Sequence, residues 1–196
     1  MSQAKSFSRV QLVTMGAILT ALVVVLQLLG SFIRFGPFSI SLVLIPIVVG
    51  AAICGPWIGG WLGLVFGVTV LVSGDAALFL GVSIPGTIAT VVLKGVLCGL
   101  AAGFVYRWLS RFNQYLAVIA AAIVCPIVNT GVFLLGCWLF FMPLIGEWAA
   151  GAGFGQDAVG YMFLGLVGAN FLFELGFNII LSPIVVRLLS IFKKTR

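Results

Sequence analysis

Lys94, Asn129, Asn170, Glu174 and Asn178 all lie inside long apolar runs. One cation, one carboxylate and three amides can hold a polar small molecule by hydrogen bonds and charge. They do not make a catalytic set. The chain has no histidine, no carboxylates at close spacing, and no Ser or Cys beside a base. Asn170, Glu174 and Asn178 are spaced i, i+4, i+8, so a helix puts them on one face. A carboxylate at the centre of a membrane helix costs about 2.5–3.5 kcal/mol on insertion scales, so that face must look at protein or water.

The elements that carry these residues are membrane helices. The chain has 196 residues, 63% hydrophobic and 7% charged, with a mean hydropathy of +1.32. That balance is foreign to soluble domains. We expect an all-α integral membrane protein, one domain over residues 1–196, with six spans at about 12–32, 39–54, 56–72, 86–106, 115–141 and 161–187, each near the roughly 20 residues a bilayer needs. The run from Leu12 to Phe32 is too long for a signal-peptide core and reads as a retained first span. Arg34, Gly36 and Pro37 break it, and Pro46 sits inside the short second helix.

Eight of the ten basic residues, Lys5, Arg9, Arg107, Arg111, Arg187, Lys193, Lys194 and Arg196, collect on one side of a six-span chain. Arg34, Asp75, Glu147 and Asp157 fall on the other. Both termini are therefore expected in the cytoplasm. The net charge of +6 thus sets topology and does not point to nucleic acid. Cys54, Cys98, Cys125 and Cys137 lie in or at the ends of apolar runs, without a CxxC. They read as small core residues, with neither a disulfide framework nor a metal site.

Gly55, Gly59, Gly63 and Gly67 repeat every four residues, and Gly95, Gly99 and Gly103 form a second such face. Smooth faces of this kind demand close helix neighbours. Residues 142–160 read as the longest loop, a mobile lid. Counted from the outer helix ends, Lys94, Asn170, Asn129 and Glu174 lie roughly 12–20 Å deep at 1.5 Å per residue. Three helices presenting polar groups at one depth point to a shared pocket. Trp138, Phe171 and Phe173 are candidate apolar walls, and Asn178, deeper still, is a packing residue. The competing reading is a buried Lys94–Glu174 pair that locks two helices in a small structural, assembly or channel-like membrane protein. Without a Walker A motif, ATP-driven transport would need other subunits.

The chain resembles the substrate-binding S components of energy-coupling factor (ECF) vitamin transporters over essentially its whole length. The resemblance rests on Ala17-Ile18-Leu19-Thr20-Ala21, which looks like the family's AxxxA motif; on Leu44-Ile45-Pro46 through Gly50; and on Gly55-Pro56 with the glycine face. Leu93-Lys94-Gly95, Val128-Asn129-Thr130-Gly131, and Glu174 with Asn178 and Pro183 complete it. The resemblance implies a non-enzymatic binding subunit for a water-soluble vitamin or micronutrient, without cofactor or metal, in a bacterial or archaeal cell membrane. Its site would lie in the outward half of the bundle, and Lys94, Asn129, Asn170 and Glu174 would bind substrate. Ala17 and Ala21 would dock on a transmembrane coupling subunit that works with two ABC ATPases. Riboflavin and pantothenate rank together as substrates, ahead of folate-like ligands.

Overall fold

The computed structural model describes residues 9–32, 34–35, 38–39 and 42–194. Lys5, Arg196 and the helix-breaking Gly36 and Pro37 lie outside the described residues. The first helix, α1, spans Arg9–Gly30. Two short strands follow, β1 (Arg34–Phe35) and β2 (Phe38–Ser39), paired antiparallel. The second helix, α2, therefore spans only Leu44–Cys54, and the expected start near residue 39 is corrected. Pro46 falls in its first turn, where the missing N–H is one that no helical carbonyl would accept from anyway.

Gly55 has φ +100° and turns the chain sharply into α3 (Pro56–Ser73), which opens on Pro56. Gly74, at φ +83°, ends α3, and a one-turn helix α4 (Ala77–Leu80) fills the connection. The long α5 (Ile84–Leu109) starts at a Ser83 cap whose side chain accepts from the Gly86 N–H. Asn113 caps α6 (Gln114–Gly136) in the same way. A π-helical segment, Cys137–Phe141, then leads into α7 (Met142–Gly151). After Asp157, α8 (Ala158–Gly160) and a second π segment, Tyr161–Gly168, lead into α9 (Ala169–Lys194).

The expected lid over residues 142–160 is mostly helix. Pro143 sits in the first turn of α7, and Ile145 and Ala149, four apart, are fully buried. An i, i+4 apolar stripe that finds a core makes a helix even among two glycines and a proline. Only residues 152–157 remain irregular.

Among the described residues, five helical stretches are long and apolar enough to cross a membrane: Val10–Gly30, Pro56–Ser73, Ile84–Leu109, Gln114–Gly151 and Ala158–Arg187. At 11 residues α2 is shorter, and it is buried along most of its length. The tightest contact joins α3 to α5. A Cβ on Gly59 would come 2.6 Å from the Gly99 carbonyl oxygen, one on Gly67 2.8 Å from that of Val91, and one on Gly63 would strike the carbonyl of Gly95. The two glycine faces thus pack against each other, backbone on backbone. Two apolar clusters result. The larger joins α1, α2, α3, α5, α6 and α9. The smaller gathers Phe79 of α4, Ile145 and Ala149 of α7, and residues of both π segments.

Candidate functional site

A cavity of about 670 Å³, its open mouth included, lies where the two clusters meet. It occupies the half of the bundle toward the start of α5, away from Arg107 and Arg111. Lys94, Asn129, Asn170 and Glu174 all line it, so four polar residues from three helices converge on one space. Glu174 and Asn129 are buried, at 2% and 4% exposure. Asn170 Nδ2 donates to Glu174 Oε1 at 3.3 Å. Asn178 is buried with them and donates to the Glu174 backbone oxygen at 2.7 Å, a packing bond within α9.

The Lys94 ammonium lies 5.4 Å from the Phe66 ring centroid and 5.3 Å from that of Phe133. Two ring faces hold the cation by cation–π attraction. Phe133 meets Phe79 edge to face at 5.7 Å, and Phe79 meets Phe141 at 4.9 Å and Trp148 at 5.7 Å. The one-turn α4 therefore drives Phe79 between the cavity wall and the smaller core.

Two polar lining residues escape a reading by sequence. Asp75, expected only as an outer-loop charge, turns into the bundle. Its Oδ2 accepts from Gln27 Nε2 at 2.8 Å and from Ser73 Oγ at 3.2 Å. The turn at Gly74 aims it there. Gln27, on α1, is 1% exposed. As a lone amide in an apolar run it carries the same signal as Asn129. The aromatic walls also need correction. Trp138 is 60% exposed, Phe173 stacks on Phe177 at 5.8 Å, and Phe171 packs on the smaller cluster. None of the three lines the cavity, whose rings are Phe66, Phe79 and Phe133.

Three buried lining atoms, Gln27 Oε1, Asn129 Oδ1 and Asn170 Oδ1, have no hydrogen-bond partner among the described residues. Buried polar atoms are nearly always paired, so a cluster of orphans in one cavity marks a place built for a guest. On the outer side of α1, Ala17 and Ala21 are exposed near the middle of the helix, while Leu19, Val23 and Gln27 of the same helix face inward. Trp61 of α3 donates to Thr20 Oγ1 at 3.2 Å beside that small-residue face.

A family model, ECF transporter, substrate-specific component, matches residues 11–186. The chain belongs to that family. The matched stretch runs from α1 into α9 and includes every residue that lines the cavity. Comparison with curated proteins and with solved structures gives no significant match. As an S component the chain is a membrane-embedded, substrate-specific subunit of a transporter and works with other subunits. The family thus favours a transport role over the architectural alternative.

Proposed function

We propose that this S component captures a water-soluble vitamin or related micronutrient from outside the cell and delivers it inward. The module it works with consists of a transmembrane coupling subunit and two ABC ATPases. The observation that carries the binding reading is the set of three orphaned amide oxygens in the cavity that Lys94, Asn129, Asn170 and Glu174 also line. Those four residues bind the ligand, with Gln27 and Asp75 beside them.

In this reading α2 completes a six-span bundle with both termini in the cytoplasm of a bacterial or archaeal cell. Exposed Arg107 and Arg111, with Trp57 and Trp108 at the same end, suit a cytoplasmic interface. The cavity then opens outward. Ala17 and Ala21 let a helix of the coupling subunit come close, because a face without bulky side chains admits another backbone.

The test is mass spectrometry of small molecules released from the detergent-purified protein, with Lys94→Ala as control. A stoichiometric vitamin present in the wild type and lost in the variant is the expected result. An empty wild type that also gives no thermal shift with any water-soluble vitamin would replace this reading with an architectural one.

A further inference from the structure

We infer that the ligand is uncharged or singly cationic, presents N–H or O–H donors and carries no carboxylate. This inference rests on the proposed binding role of the cavity and narrows it.

The orphaned atoms are all acceptors. Gln27 donates its NH2 group to the Asp75 carboxyl and Asn170 donates its own to Glu174. With the amide nitrogen turned to the acid, the amide oxygen faces away. Gln27 Oε1 and Asn170 Oδ1 are therefore true unfilled acceptors, and Asn129 Oδ1 adds a third. A ligand that fills them must donate hydrogen, since leaving a buried acceptor unmade is costly.

Charge points the same way. The lining holds one lysine against two carboxylates, Asp75 and Glu174. A carboxylate ligand would put three anions around one cation in a space of low dielectric. An uncharged ligand leaves the balance as it is, and a single cation completes it. Lys94 is already held between the Phe66 and Phe133 rings, where its N–H groups can still reach a ligand carbonyl.

The test is calorimetric titration of the full-length purified protein with riboflavin and thiamine, which lack a carboxylate, and with pantothenate, which carries one, and folate, which carries two. Any compound released in the mass spectrometry experiment joins the panel. The expected result is that the tightest binder lacks a carboxylate and binds at least tenfold better than every carboxylate tried. Methylating one of its N–H or O–H donors should then weaken it at least tenfold, about 1.4 kcal/mol. A carboxylate as tightest binder, or a methylated ligand that binds unchanged, would overturn the inference and leave the transport reading standing. Silence from every compound would overturn the transport reading, and the inference with it.

Discussion

Single residues in this cavity make separable contributions. Asn129→Ala removes an acceptor while leaving little charge disturbance, and a ligand bond lost there should lower affinity at least tenfold, about 1.4 kcal/mol. Isothermal titration measures it directly. Lys94→Met keeps the length of the chain but removes the charge from beside two carboxylates. It should lower affinity by a similar factor and also lower thermal stability, because the acidic groups lose their nearest lining cation. A Lys94→Met protein that loses stability yet binds ligand normally would make the lysine architectural. Lys94, Asn129, Asn170 and Glu174 were legible in the sequence because each interrupts an apolar run, and helical spacing fixes the face. The rings were not. Phe66, Phe79 and Phe133 are three of 17 phenylalanines, and which ones meet a cavity is decided by packing between helices, which no local pattern records. Asp75 was visible as a residue but not as a wall, since its inward aim depends on a left-handed backbone at Gly74.

Among the elements, the seam between α3 and α5 bears the closest backbone approach. Gly63→Val would push a branched side chain into the carbonyl of Gly95, and neither backbone can yield without parting the helices. Overpacking of this kind costs about 1–3 kcal/mol. The expected outcome is a clear fall in melting temperature in detergent. Gly176→Ala in α9, where an added Cβ meets nothing within 4 Å, should leave the melting temperature unchanged or raise it. Equal effects of the two substitutions would remove the seam from its special place. The period-four glycines announced that a close neighbour was needed, and the structure supplies it as the second glycine face. By contrast, the helix of α7 is hidden in the sequence because Pro143, Gly146 and Gly151 weaken its signal. The stripe of Ile145 and Ala149 became meaningful only against Phe79 and the π segments. Two-residue strands such as β1 and β2 leave too little alternation to detect.

At the scale of the whole molecule, the proposed docking residues Ala17 and Ala21 are exposed on the outer side of α1, whereas the cavity lies inside the bundle. Replacing Ala17 and Ala21 together by Trp should therefore spare ligand affinity and abolish uptake in cells that hold the complete transporter. Uptake at the wild-type rate would remove α1 from the docking surface. The position of the cavity, between a large apolar cluster and a small one, also bears on how the protein melts. The smaller cluster gathers fewer buried residues than the larger, so it is expected to open while the larger stays closed. Backbone amides of residues 137–168 should then exchange with deuterium faster than those of residues 56–73. A bound ligand touches both sides and makes them a single cooperative unit. At a hundred times its Kd it adds about 2.7 kcal/mol to the closed state, and the slowing of exchange should be greatest in residues 137–168. Exchange that slows equally everywhere would mean the two clusters already melt as one. The unequal pattern would make the cargo the keystone of its own carrier.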